Sequence, residues 1–346
     1  MTTSQSSTTS IRQHAIRGLR GLFYIIFYVL RTKPKIFIAK IINPVQKITI
    51  AIGKIKYEMI VDLNDNGISQ DLYSARIREY PNVLFFIKFL TKYGKSIDTV
   101  FEIGANIGYY FLLSHVVFKN KLKKNVKIIG VEPVSDNFAI LKTNAELNEV
   151  NNSVLVKAAV GDRDKKINVI VPREKNLSHM EGIDNVSSIK EFSIEKVDMY
   201  SLRTLFDKYS IKHKRVLFRW DIEGYEYQIM TGNKDVFRAL KNVFIIMEFH
   251  PQLLKKNKTI KFLRLLKEIG FNLEFTVSCY PLYFFSGTPK IIQRLLLKLW
   301  VMEKGGEKLG LLNKYKTLDD LITEFFNENS ALYSHPNLHL YLVKHE

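Results

Sequence analysis

Between Asp98 and Gly270 the chain alternates short apolar runs with stretches of helical periodicity. DTVFEIG, KIIGVEP, VLFRWDIEG and VFIIMEFH are nearly continuous in apolar residues, and KTIKFLRLLKEIG is an amphipathic helix stopped by Gly270. Runs that are apolar throughout belong to strands covered on both faces. Strands that alternate with helices build a parallel sheet packed between helical layers. This alternation sets the fold class: α/β, with a mostly parallel sheet. SVLVKAAVG reads as the third strand and KINVIV as a further one. NLEFTV and LHLYLVKH are late strands, and a final strand returning antiparallel would complete the core. Between them IIQRLLLKLW and LDDLITEFF read as a helical insertion at about residues 280–335.

Upstream of the alternation the pattern differs. KITIAIGKIKYEMIVDL reads as a hairpin turning at Gly53-Lys54, and NVLFFIKFLTKYG as a helix ended by Gly94. Residues 47–97 are therefore expected to pack as an extension on a domain formed by residues 98–346. Residues 1–10, MTTSQSSTTS, have the polar composition of a disordered tail. Residues 11–46 read as an apolar and basic helical segment. Its apolar piece Gly21–Leu30, between Arg20 and Arg31, is too short to span a bilayer, which takes about 20 residues. It suits a helix lying in the membrane interface with its arginines on phosphates, and it also suits packing on the protein's own core. A signal peptide is a third reading, but Arg31, Lys33, Pro34 and Lys35 follow where small residues would be needed.

The net charge of +18 suits phosphates, anionic lipid or nucleic acid, although the lysines are scattered and a lysine-rich composition accounts for them equally. KLKKNVK and KHKR lack the interleaved aromatics of a single-strand platform, so nucleic acid is not an expected partner. Peripheral contact with an anionic membrane is retained, and the expected location is cytoplasmic or peripheral at the membrane. Cys279 is the only cysteine, which excludes an intrachain disulfide and a cysteine-based zinc site.

Chemistry collects where strands end. In FEIGANIGYY the first strand meets Glu102 and then a turn carrying Gly104, Asn106 and Gly108. Ligands of open α/β sheets sit at the carboxyl ends of strands, and glycine lets the backbone come close to them. The spacing is not the G-x-G-x-x-G of dinucleotide folds, since Asn106 takes the middle place, and no Lys-Ser/Thr pair follows as in a P-loop. Glu132 ends the next strand, placed to accept hydrogen bonds from ribose hydroxyls, and Asp162 follows AAVG, placed to accept from an adenine amino group. Carboxylates on successive strand ends suit a cationic, amine-bearing nucleoside better than a polyanion. Asp221 and Glu223 close a later strand. Glu248 and His250 close the one after it and, at spacing two, share a face.

With ISQDLY (68–73), FEIGANIGYY (101–110), VEP (131–133), AAVGD (158–162), WDIEGYE (220–226) and MEFH (247–250) in this order, the sequence resembles the FkbM-type S-adenosylmethionine-dependent methyltransferases. The resemblance covers roughly Glu58 to His250. It implies a Rossmann-like class I methyltransferase fold with a mostly parallel seven-stranded sheet and an antiparallel last strand. The N-terminal helix and hairpin extension and the C-terminal helical insertion are read from the chain's own pattern, and the N-terminal apolar helix and the insertion after Thr276 are not part of the resemblance. The resemblance further bears on the ligand. It implies S-adenosylmethionine as cofactor, with Glu102, Gly104, Asn106 and Gly108 at its methionine part, Glu132 at the ribose and Asp162 at the adenine side. Asp221 faces the cofactor or the acceptor. The family usually has Asp at Glu102, Lys at Arg219 and Thr-Leu-Asp at Ser201-Leu202-Arg203.

Methyl transfer to a hydroxyl needs alignment and removal of a proton. Asp221, Glu248 and His250 are the catalytic candidates, with His250 as the base. No metal is expected; a divalent ion on Asp221, Glu248 and His250 is chemically feasible, and the resemblance does not require one. The acceptor expected from the family and the membrane-like N-terminus is a sugar, glycan or lipid-linked glycan hydroxyl. An NAD-dependent oxidoreductase and a non-catalytic membrane-associated adaptor on the same fold are the rival readings.

Overall fold

The computed structural model describes residues 33–181, 191–211, 215–278 and 311–345, apart from 313, 329 and 335–337. The apolar stretch Gly21–Leu30, most of KHKR, the IIQRLLLKLW segment and Cys279 lie outside the described residues.

Helix α1 (Lys33–Ile42) leads into a hairpin, β1 (Val45–Ile52) and β2 (Ile55–Asp62), that turns at Gly53-Lys54. Gly53 takes a φ of +61°, a conformation glycine adopts at little cost. α2 (Ile68–Ala75) and α3 (Tyr80–Tyr93) follow. The outer edge of β2 is not left open: Asn144 and Asn148 bond the backbone of Ile60 and Glu58 through their amides. On α1, Phe37, Ile38, Ile41 and Ile42 are exposed. No helix among the described residues is long and apolar enough to cross a membrane.

The alternating region then begins with β3 (Thr99–Ile103), α4 (Tyr109–Val116), β4 (Lys127–Val131), α5 (Ser135–Leu147) and β5 (Ser153–Val156). A small-sheet segment intervenes: β6 (Ala159–Gly161), β7 (Lys165–Pro172), β8 (His179–Met180) and β9 (Phe192–Ser201). After it come α6 (Leu202–Tyr209), β10 (Val216–Trp220), α7 (Glu226–Gly232), α8 (Lys234–Ala239), β11 (Val243–Phe249), α9 (Pro251–Ile269), β12 (Asn272–Ser278), α10 (Leu318–Phe326) and β13 (Leu338–Lys344).

The main sheet has seven strands in the order β12-β13-β11-β10-β3-β4-β5. β5, β4, β3, β10 and β11 are parallel neighbours, and β13 runs antiparallel between β11 and β12. Along the parallel strands the order reads third, second, first, fourth, fifth. The chain reverses its direction of travel between β3 and β10, and there the loops diverge to leave a ligand crevice.

Both sheet faces are buried, as the apolar runs require. Phe101, Phe218, Trp220, Ile245 and Met247 fill one layer, where Phe101, Phe206 and Phe218 stack with centroids 5.3, 5.5 and 6.1 Å apart. Val100, Leu217, Phe244 and Ile246 fill the other, under Phe86, Phe89 and Phe111.

One strand assignment needs correction. SVLVKAAVG is not one strand. The chain turns at Lys157, where the Ala158 amide donates to the Val156 carbonyl, so β5 ends the main sheet and β6 joins a separate four-stranded sheet, β6-β9-β7-β8. KINVIV, within β7, pairs antiparallel with β9 in that same small sheet and takes no place in the main one. Helix α4 starts only at Tyr109, after a turn in which Gly104, Asn106 and Gly108 all have positive φ.

Candidate active site

The turn after β3 is held by its own backbone. The Gly104 and Ala105 amides donate to the Val131 carbonyl, and the Asp221 amide donates to the Ile103 carbonyl. Gly104 has a φ of +76°, and a Cβ there would stand 2.0 Å from the Asp221 carbonyl oxygen. This glycine is what lets the first and fourth strand ends close together.

Beside the turn is a narrow, open-mouthed cavity of about 60 Å³. Gly104, Asn106, Glu132, Asp221 and Glu223 line it. Apolar walls come from Ile103, Val131, Ala158, Val160 and Ile222. The small sheet adds Val169, His179 and Met180.

Glu132 sits at the end of β4 and is 4% exposed. Its Oε2 accepts from the Asn106 amide at 2.8 Å and its Oε1 from the Val134 amide at 3.1 Å. Burial pushes its carboxyl up to about 7, against the pull of those amides. Asn137 Nδ2 also donates to Oε1, at 3.5 Å, so the carboxylate's orientation is fixed before any ligand arrives and Oε2 keeps a second lone pair to offer.

Three of the expected cofactor residues do not line this cavity. Glu102 does not line the cavity: β3 turns its side chain to the opposite face, where it is fully buried and accepts from Ser114 Oγ at 2.9 Å. Burial raises its carboxyl to about 7, and its Oε2 has no hydrogen-bond partner. Gly108 caps α4 with a φ of +96° and packs toward Leu141. Asp162 follows β6 in the small sheet, accepts from the Tyr225 hydroxyl at 3.2 Å and lies 3.5 Å from Lys165 Nζ.

The catalytic candidates do converge. His250 follows β11 with 5% exposure. Its Nδ1 lies 2.7 Å from Oε1 of Glu226, which is fully buried at the start of α7. Its Nε2 points the other way, 3.6 Å from Glu223 and 3.8 Å from Glu248. Asp221, Glu223 and His250 each offer one ligand atom within 4.8 Å of the others. Burial pushes Glu223 up to about 7, and Glu248 well above the usual range. Burial alone would lower His250, but Glu223, Glu226 and Glu248 together raise it well above an ordinary histidine.

Beneath this cluster a polar row crosses the sheet. Arg219 pairs in register with Glu102, and Glu248 with His339. The Arg219 guanidinium lies 4.3 Å over the Tyr110 ring and donates to Asp221 Oδ2 at 3.2 Å. Glu79, at the start of α3 with a φ of +50°, accepts from Tyr110 Oη at 2.8 Å and from Arg78 Nε at 3.2 Å, with His339 Nε2 at 3.5 Å. Burial opposes its charge, yet His339, Arg78 and Arg219 hold it down to about 2, while burial takes His339 down to about 4.

Sequence reasoning did not single out Glu226, Arg78, Glu79 or His339. His339 carried a signal, being the one polar interior position of LHLYLV. Glu226 lay inside WDIEGYE without an assigned role. Nothing in the sequence marked Arg78-Glu79.

Residues 102–273 match the model of the methyltransferase FkbM domain. No curated protein matches the chain. Among solved structures, a putative methyltransferase from Streptococcus mutans in complex with SAH is 11% identical, with 56% of this chain and 86% of that one covered and a TM-score of 0.32. M. jannaschii TYW2 in complex with AdoMet is 11% identical, with 67% and 78% covered and a TM-score of 0.34.

Proposed function

We propose that this chain, which carries a methyltransferase FkbM domain over residues 102–273, moves the methyl group of S-adenosylmethionine to a hydroxyl on a sugar, glycan or lipid-linked glycan. The observation that carries the reading is one cavity lined by Gly104, Asn106, Glu132, Asp221 and Glu223 together. The lining suits the cofactor: a preoriented carboxylate for a ribose diol, apolar walls for a purine, and anionic groups for a cationic centre.

S-adenosylmethionine supplies a methyl already activated by a positively charged sulfur. Glu132 would hold the ribose hydroxyls, and the Gly104–Asn106 backbone would lie along the cofactor. Asp221 and Glu223 favour positive charge in the cavity. The acceptor hydroxyl enters beside them, and its proton leaves through the Asp221, Glu223, Glu248 and His250 cluster. Alignment of the two reactants is the larger contribution, up to about 7–11 kcal/mol. The exposed apolar residues of α1 support an acceptor met at a membrane surface.

Calorimetry tests the cofactor. S-adenosylmethionine should bind and NAD should not, and Glu132→Ala should abolish the S-adenosylmethionine heat. NAD binding in its place would replace this reading with an oxidoreductase. Labelled methyl transfer onto a panel of sugar and lipid-linked glycan acceptors tests the substrate class.

A further inference from the structure

We propose that Asp221, Glu223 and His250 form a site for one divalent cation, magnesium or manganese, at the acceptor end of the crevice. Three observations point there. The ligand atoms of the three residues lie within 4.8 Å of one another, a separation one ion can bridge. They come from two neighbouring strand ends, β10 and β11, so the sheet itself fixes their spacing. And the histidine is oriented from behind. Glu226, fully buried, takes Nδ1 at 2.7 Å, which sets the tautomer and aims Nε2 into the cluster.

That Nε2 faces Glu223 and Glu248 without closing on either. Its nearest carboxylates stand at 3.6 and 3.8 Å, beyond hydrogen-bond reach, on a side chain that is only 6% exposed. A ring held by a carboxylate at one nitrogen and aimed into the cluster with the other is the usual support of a metal-ligating histidine. Two carboxylates and one imidazole suit a hard or borderline ion that keeps open positions for water and an acceptor oxygen. Asp221 and Glu223 line the cavity, so the ion would face it. The adjacent trio of Glu79, Glu248 and His339 is a poorer candidate, because Arg78 already donates to Glu79.

The ion's role rests on the methyltransferase reading; its binding does not. An acceptor oxygen held by the ion would ionise more readily, its O–H proton passing to Glu248, the carboxylate of the cluster that is not a ligand. The oxygen lone pair then forms the C–O bond as the C–S bond breaks, and sulfur keeps that electron pair. His250 serves in this step as a ligand.

The test is manganese titration of the full chain, first stripped with a chelator, followed by electron paramagnetic resonance. One saturable ion per chain is expected, with nitrogen modulation from a coordinated imidazole. His250→Ala should remove the nitrogen signal, Glu223→Gln should weaken binding at least about tenfold, and Glu226→Gln by about 10–100-fold. Thermal melts of each variant exclude unfolding, and Glu223→Asp should restore part of the affinity. Absence of saturable binding, or binding indifferent to these substitutions, overturns the proposal and leaves an imidazolium–carboxylate cluster. Methyl transfer unaffected by chelator also overturns it, with the methyltransferase reading intact. Manganese bound to a chain that takes no S-adenosylmethionine supports the site and sinks that reading instead.

Discussion

Glu226 and His250 lie 2.7 Å apart at the end of the crevice, the carboxylate fully buried and the imidazole nearly so. Glu226 opens α7 and His250 follows β11, so the pair ties two crossovers of the sheet together at the place where chemistry is proposed. An imidazole gripped at Nδ1 has one orientation and one reactive nitrogen.

His250→Ala should therefore lose turnover by at least about 10²-fold while S-adenosylmethionine still binds. Steady-state rates and calorimetry on the same preparation check this. Full activity in the variant would remove His250 from the mechanism. Glu226→Gln should lower kcat more than it alters KM, because it disturbs the orientation of His250 and not the acceptor's own contacts.

Glu132 makes cofactor affinity depend on pH. Its carboxyl is raised by burial to about 7, and the ionised form is the better acceptor for ribose hydroxyls. Affinity for S-adenosylmethionine should climb as pH rises from 6 to 8, and Glu132→Gln should bind weakly with that rise diminished. The stability of the free protein moves the opposite way. A carboxyl raised in the folded state binds more protons there than in the unfolded chain between about pH 4.5 and 7. Stability is thus lost as pH rises through that window, by up to about 3 kcal/mol for this group. Calorimetric melts of wild type and Glu132→Gln from pH 5 to 8 would show the difference.

How legible was all this in the sequence? The sheet was, because parallel strands buried on both faces must be apolar throughout, as Val243–Phe249 is. The small sheet was not. The turn at Lys157 depends on one backbone hydrogen bond and breaks no hydrophobic pattern, so Asp162 was assigned to the wrong sheet. Glu102 illustrates a second limit. Its place at a strand end was plain, but the face it takes follows from the alternation of β3, and that face meets Ser114 and Arg219 and not the cavity. Asp221, Glu248 and His250 were legible as strand-end residues. The grip of Glu226 was not, since it depends on how α7 packs against β11. Arg78-Glu79 was invisible because its backbone is left-handed at Glu79 for tertiary reasons.

Glu79 should matter to stability. It is a buried ion held down to about 2 by His339, Arg78 and Arg219 despite its burial. Glu79→Ala takes one carboxylate from Arg78 and Arg219, which keep Asp71 and Asp221, and should cost about 1–3 kcal/mol in chemical denaturation. A loss under about 1 kcal/mol would mean that the network contributes little.

Gly104→Ala probes the joint between strand ends. The new methyl would meet the Asp221 carbonyl at 2.0 Å on a backbone of φ +76°, so the turn must shift. S-adenosylmethionine binding should drop by at least about tenfold, and Asp221 should move in a crystal structure of the variant. Wild-type affinity would show that the close approach of these two strands is not needed.

The most direct measurement is a crystal structure with S-adenosylmethionine bound. Its ribose hydroxyls should lie within hydrogen-bond distance of Glu132, and its sulfonium should face Asp221. A cofactor seated outside the Gly104–Glu132–Asp221 cavity, or no binding at all at millimolar concentration, would contradict the account.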